Sequence, residues 1–297
     1  MIIAHYINGN CHVTLHSDGT KVREWEGEAR PEFPESIDFK ITNMCHTACA
    51  WCHEKSVPTG GHVRATDVVD VLAGLPKGVE IAIGGGNPLL HPDLRKILED
   101  LNKLGLIANM TVHARDLING IDLVQELRLD GLIHGLGMSW DNMASMFVQE
   151  CVDTNTVFHF IAGVHNPGDV RLLSSEFGKV LILGYKWYGR GANGKHAERE
   201  RVLANIAEWR YWLPTLMSKP NRVISFDNLA LEQLNVREII GEDVWSKSYM
   251  GDDGKFSMYV DAVKMEYAKS STSERHMLNS ITAADAFRRL QESDDRI

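Results

Sequence analysis

Long apolar runs are missing from this 297-residue chain, and so is any excess of positive charge. No stretch reaches the roughly 18 consecutive apolar residues of a membrane-spanning helix. The opening MIIAHYINGN lacks the layout of a secretory signal. A formal net charge of −9 removes any general attraction to nucleic acid or anionic membrane, although a local basic patch is still allowed. Cysteine is scarce, at five residues, and the odd number argues against a disulfide framework. Internal repeats and low-complexity segments are absent as well. What remains, 44% hydrophobic and 24% charged, is ordinary for a soluble globular protein of one large α/β domain or two small ones.

Three of the five cysteines nevertheless fall within eight residues, Cys45-His46-Thr47-Ala48-Cys49-Ala50-Trp51-Cys52. Thiolates are soft ligands, and one short loop carrying three of them can hold three irons of a cubic iron–sulfur cluster. A tetrahedral zinc site is the alternative, with His46 or His53 as the fourth ligand. Free thiols beside such a site imply a reducing compartment, so a cytoplasmic protein is expected. Cys11 reads as a plain strand residue, and Cys151, in the apolar stretch VQECV, as a buried thiol.

The pattern divides the chain into 1–33, 34–226 and 227–297. The first part holds short alternating segments, IIAHYI and CHVTLH, joined at Asn8-Gly9-Asn10 and followed by KVREWE, which predicts a small β appendage. From Ser36 strands alternate with helices. SIDFKIT, VEIAIGG, IANMTVHA, GLIHGLGMS, TVFHFIAG, KVLILGYK and RVISF read as strands. Between them lie helical stretches, one capped at Thr66-Asp67 and another, LRKILEDLNKLG, ended by Gly105. That βα rhythm predicts a parallel sheet with ligands at the C-terminal strand ends. Six or seven units without an eighth predict a partial, TIM-like (β/α)6 barrel. After Phe226 the rhythm stops, and helices, a strand pair behind Gly251-Asp252-Asp253-Gly254 and a closing helix predict a C-terminal α+β extension.

The spacing Cys45-x3-Cys49-x-Trp51-Cys52 resembles the C-x3-C-x-aromatic-C signature of the radical S-adenosylmethionine (SAM) superfamily. The resemblance implies a [4Fe–4S] cluster held by Cys45, Cys49 and Cys52, with SAM chelating the open iron. It further implies an external electron donor such as flavodoxin or ferredoxin, whose electron splits SAM into methionine and a 5′-deoxyadenosyl radical. The six-strand core of that family agrees with the βα rhythm. Some members carry extra clusters in a cysteine-rich C-terminal extension called SPASM. The tail here has no cysteine, so no auxiliary cluster is expected.

The resemblance also marks the SAM contacts. Gly84-Gly85-Gly86-Asn87-Pro88 ends the second strand, where the family has G-G-E-P. The backbone and Asn87 are expected to hold the SAM amino group, with a weaker bond than a carboxylate would make. Trp51 belongs to the same signature. Ser139, at the end of the fourth strand, is a SAM contact or a helix cap. Ile161 to Asn166 end the fifth strand, where Gly163 allows the adenine close approach and Asn166 can reach the ribose. Thr111 and His113 face the same mouth. After the sixth strand, Tyr185, Lys186, Trp187, Tyr188 and Arg190, followed by Lys195, His196, Arg199 and Arg201, interleave aromatic and basic residues. They are either a base- and phosphate-binding stretch or a solvated loop. Lys186, Tyr188 and Arg190 are the candidate substrate residues there, and Asp227 and Asn228 those after the seventh strand.

A radical SAM enzyme acting on a nucleotide or nucleic-acid base is the leading reading. The GYK-x-x-GRG and SFDNLALEQL stretches are similar to those of small radical SAM proteins of bacteriophages, some of which act in DNA-base hypermodification. A peptide substrate is the runner-up, and a non-catalytic iron–sulfur or zinc module the rival from another class. Anaerobic reconstitution is expected to load one cluster, about four irons per chain. The triple change Cys45→Ala/Cys49→Ala/Cys52→Ala should abolish it. Iron assay checks this, and about eight irons per chain would reveal a second cluster.

Overall fold

The computed structural model describes residues 1–142, 144–145, 152–153, 155–173, 178–193, 196–220 and 222–294. The stretch holding Cys151, and Lys195, lie outside them. The N-terminal part is an antiparallel meander of β1 (Ile2–Asn8), β2 (Cys11–His16) and β3 (Lys21–Glu24). A two-residue turn joins the first pair, with Gly9 at φ 61°, a left-handed conformation that glycine adopts freely. Cys11 is fully buried with Val13, Ala29 and Phe256 in a small satellite core, as its strand position led one to expect.

The second sheet has ten strands in the order β10-β9-β8-β7-β6-β5-β4-β11-β12-β13. Its parallel run consists of β4 (Ser36–Thr42), β5 (Glu80–Gly85), β6 (Ile107–His113), β7 (Gly135–Ser139), β8 (Thr156–Ile161), β9 (Lys179–Leu183) and β10 (Val223–Phe226). Ile37, Phe39, Ile41, Ile81 and Ile83 are buried in one continuous core with Leu94, Ile97, Leu98 and Leu101 of the following helices. Because strand side chains alternate faces, Asp38, Lys40, Ala82, Gly84, Thr111 and His113 form another set, which lines an inner cavity. The sheet remains an open, partial barrel.

Among the helices, α1 (Ala65–Leu72), α2 (Leu94–Leu104) and α3 (Ala114–Leu129) cover the first strands. The helix α2 ends at Gly105, whose φ of 76° closes the last turn. The helix α1 starts two or three residues earlier than Thr66-Asp67 capping would put it. Arg64 is its N-cap without a side-chain bond, and Asp67 lies inside the first turn holding the Arg64 guanidinium at 2.6 and 2.8 Å. Among the described residues no helix is long and apolar enough to cross a membrane.

The tail after Phe226 does not stand apart from the sheet. The strand β11 (Ser257–Asp261) pairs in parallel with β4, Ser257 opposite Ser36 through to Asp261 opposite Lys40, and β12 (Glu266–Ala268) and β13 (His276–Met277) follow antiparallel. The sheet interior rather than its edge is therefore where the first barrel strand sits. The helix Ala283–Asp294 buries Ala283, Ala286, Phe287 and Leu290 against this part. Truncating Phe287 to Ala is expected to cost about 3–5 kcal/mol. Urea unfolding of Phe287→Ala checks it, and a separate early transition would show that the tail unfolds alone.

Candidate functional site

All parallel strands deliver their C-terminal ends to one rim, and the loop after β4 carries the three cysteines there. Backbone bonds fix this loop on both flanks. Cys45 N–H donates to Val57 O (3.0 Å) and Val57 N–H to Asn43 O (3.0 Å). Gly86 N–H reaches Thr42 O (2.8 Å) and Asn87 N–H reaches Met44 O (2.7 Å). The approach is so close that a Cβ on Gly86 would lie 2.1 Å from Met44 O. From the far side, Arg190 closes the loop. Its backbone N–H donates to Cys52 O (2.9 Å), its Nε to Cys49 O (2.8 Å) and its Nη1 to Ser56 O (2.8 Å).

Cys45, Cys49 and Cys52 are free, half-buried and line one cavity of about 310 Å³. Burial first, then the charges of Cys52 and Cys45, push the Cys49 thiol up to about 11. Ionisation of Cys49 is thus opposed by its two neighbours, and a multiply charged metal group is what would hold it as a thiolate. His53 Nε2 lies 3.4 Å from Glu54 Oε1, and His46 is exposed. Among the described residues no three Cys, His, Asp or Glu side chains converge on a single point. Three separated thiols around a cavity with a glycine floor fit a cluster several atoms across better than one ion.

Gly84, Gly85, Gly86, Trp51, Ser139, Thr111 and His113 line this cavity. Capping of the next helix falls to Asp141, which accepts from Ala144 N–H (3.1 Å), so Ser139 is not the cap. Asn87 is different. Its Oδ1 accepts from Leu89 N–H (3.0 Å) to cap the short turn Pro88–Leu90, and it is absent from the cavity lining. The expected side-chain bond to a SAM amino group therefore competes with a cap, and the glycine backbone is what faces the mouth.

A second cavity, of about 740 Å³, adjoins the first across Trp51, Trp140, His165 and Tyr185, and Gly163 and Asn166 line it. Gly163 has φ 94°, and a Cβ there would meet Val202 Cγ1 at 2.8 Å. Asn166 caps the turn Pro167–Leu172, accepting from Gly168 N–H (2.7 Å). His165 is driven down to about 4 by burial, and its Nδ1 accepts from Ile161 N–H (2.7 Å). It stands edge-on to Trp51, with ring centroids 6.1 Å apart.

The candidate substrate residues scatter. Lys186 lines the first cavity and donates to Ser271 Oγ (2.7 Å). Tyr188 is 55% exposed and lines neither cavity. Arg190 is committed to the cysteine loop, because its donors point at backbone carbonyls there rather than at the rim. Asp227 caps a helix, accepting from Gly184 N–H (2.9 Å) and Ala230 N–H (2.7 Å), and burial pushes its carboxyl up. Asn228 turns to Gly251 O (3.3 Å) and Asp253 Oδ1 (2.8 Å). Arg199 stacks on Trp187 at 5.1 Å, and Arg201 lines the second cavity.

Sequence reading missed the opposite wall. Lys40 Nζ is buried between Glu54 Oε2 (2.6 Å) and Asp261 Oδ2 (3.0 Å), and Tyr259 donates its hydroxyl proton to Glu54 Oε1 (2.7 Å). Asp38 and His159 line the same cavity. Polar residues at alternate positions of SIDFKIT were a usable signal for Asp38 and Lys40. Nothing local announces a partner on a strand more than 200 residues away.

No family model matches the chain. The GTP 3′,8-cyclase of Clostridium acetobutylicum is 25% identical over 160 residues, which are 50% of this chain and 49% of that protein. The chain thus spans about half the length of that curated relative. Streptococcus suis SuiB bound to precursor peptide SuiA superposes with a TM-score of 0.57 at 10% identity, covering 90% of this chain and 68% of SuiB. SuiB bound to S-adenosylmethionine gives 0.54 at 12% identity over 86% and 64%. At such identities the structural likeness speaks for the fold, an open partial barrel. Because Arg190 closes the cysteine loop, Arg190→Ala is expected to weaken that loop by about 2–4 kcal/mol. The iron retained on reconstitution should fall, and Arg190→Lys should recover only part of it, since an ammonium lacks the planar fork. Iron and sulfide assays check both.

Proposed function

The chain belongs to the radical SAM superfamily, and on that premise we propose that it is an enzyme that abstracts hydrogen from a peptide substrate. When bound, the cluster and SAM supply one-electron cleavage of SAM and, through it, attack on an unactivated C–H bond. Cys45, Cys49 and Cys52 hold the cluster, and Gly84, Gly85 and Gly86 offer backbone groups to the methionine end of SAM. Trp51 and Ser139, with Gly163 and Asn166 from the adjoining cavity, would supply further contacts to SAM. Trp51, Trp140 and His165 line both cavities and give their junction an aromatic wall. His46, Ala48 and Ala50 expose the outer side of the cysteine loop, where an electron donor such as flavodoxin or ferredoxin would dock.

One observation favours a peptide over a phosphate-bearing nucleotide: the cations that line or adjoin the cavity of the three cysteines are already engaged. Arg190 holds the cysteine loop, Lys40 lies between two carboxylates, and Lys186 alone of the three faces the cavity with a neutral partner. Phosphate recognition wants several such donors. The fold neighbour bound to a precursor peptide supports the same choice, whereas the name of the curated relative supports the nucleotide alternative.

Dithionite-reduced, reconstituted protein is expected to convert SAM to methionine and 5′-deoxyadenosine. Deuterium from a uniformly deuterated peptide substrate should appear in the 5′-deoxyadenosine by mass spectrometry. Transfer from a deuterated nucleotide instead would return the substrate to the nucleotide class. Failure to cleave SAM at all would leave a non-catalytic iron–sulfur module.

A further inference from the structure

Two charged residues of β4, Asp38 and Lys40, alternate onto the inner face in opposite circumstances. Lys40 is neutralised by Glu54 and Asp261. Asp38 has no hydrogen-bond or ion-pair partner among the described residues. Lys186, the cation that acts on it, donates a hydrogen bond to Ser271 Oγ, while Asp227 and Asp253 add like charge. The Asp38 side chain is accessible to solvent and opens into the cavity of about 310 Å³, while the protein packed around that cavity pushes its carboxyl up. Asp38 forms part of the wall of that cavity.

Small residues keep space in front of it. Ala82 stands beside Asp38 on β5. On β7, a Cβ at Gly137 would come within 2.6 Å of His159 Cε1 and 2.7 Å of Thr111 Oγ1, both of residues that line the cavity. Burial drives His159 down to about 4, so it is neutral near pH 7 and offers Asp38 no counter-charge. An unpaired carboxylate in a partly desolvated cavity is disfavoured, and an incoming cation that completes the pair offsets that cost. A phosphate would be repelled from the same place.

We propose that Asp38 anchors a cationic side chain of the substrate, a lysine ammonium or an arginine guanidinium, inside the barrel below the cysteine loop. The inference rests on the peptide reading of the site. Asp38 would bind the substrate away from the bond that reacts, so its role is anchoring and specificity.

Calorimetric titration of the anaerobically reconstituted protein, with SAM present, tests this. The probes are Nα-acetyl-lysine methylamide and Nα-acetyl-arginine methylamide, with Nα-acetyl-glutamine methylamide as the uncharged control. One cationic probe should bind about tenfold or more tighter than the control, as a charge-assisted bond implies, and which one does so identifies the side chain. Asp38→Asn and Asp38→Ala should erase that preference while the melting temperature stays level or rises, because an unpaired charge in the cavity wall has been removed. A cationic probe that binds wild type and Asp38→Asn equally overturns the anchor and leaves the peptide reading standing. Wild type without preference for either cation also overturns it, as does a fall in melting temperature in Asp38→Asn, which would give the residue a structural role. Saturable binding of guanosine where none of the amides bind overturns the peptide reading itself.

Discussion

The cysteine loop stays in place because backbone meets backbone at Met44 and Gly86. Two N–H donors from the end of β5 reach carbonyls on either side of Asn43, at a separation no side chain could share. That contact joins the loop carrying the thiols to the glycines beside it, so the three cysteines and Gly84 to Gly86 are fixed to one another. Arg190 adds the third fixed side through three carbonyls of the same loop. Its guanidinium never leaves its own molecule, and the basic stretch after β9 therefore belongs to the architecture of the centre more than to its substrate.

Most of the fold was legible in the sequence for a plain reason. Parallel strands covered by helices on one face and lining a mouth with the other leave runs such as VEIAIGG and KVLILGYK, and the helix α2 shows both its apolar stripe and its terminal glycine. The cysteine spacing was legible because ligand geometry is local. Asn87 was only half legible: its type permits a bond to SAM, but the same oxygen is what a turn beginning with Pro88 needs for its cap. Arg190 was misread for a related reason. A basic residue among aromatics and glycines looks like a ligand site until the carbonyls it satisfies are seen, and those belong to residues 49, 52 and 56. Pairing of β11 with β4 could not be read at all, since two short strands separated by nearly the whole chain carry no mark of one another.

Lys40 illustrates how the two ends of the chain are made interdependent. A buried ammonium needs its counter-charges, and these come from the cysteine loop through Glu54 and from the C-terminal part through Asp261. Tyr259 reaches Glu54 as well, so removing the last strands would leave both a lysine and a glutamate poorly satisfied beside the centre.

That arrangement has a consequence for how the protein is born. The contact between Lys40 and Asp261 spans 221 residues, and at ribosomal speeds the wait between the two is on the order of 10–45 s. Throughout it, one edge of β4 offers unpaired backbone groups and a buried-to-be cation, beside thiols that can already meet metal or oxygen. The nascent chain is therefore most exposed to mispairing and oxidation at the strand that will carry its centre, and holding that edge until the tail emerges is work for a chaperone or for slow, anaerobic expression.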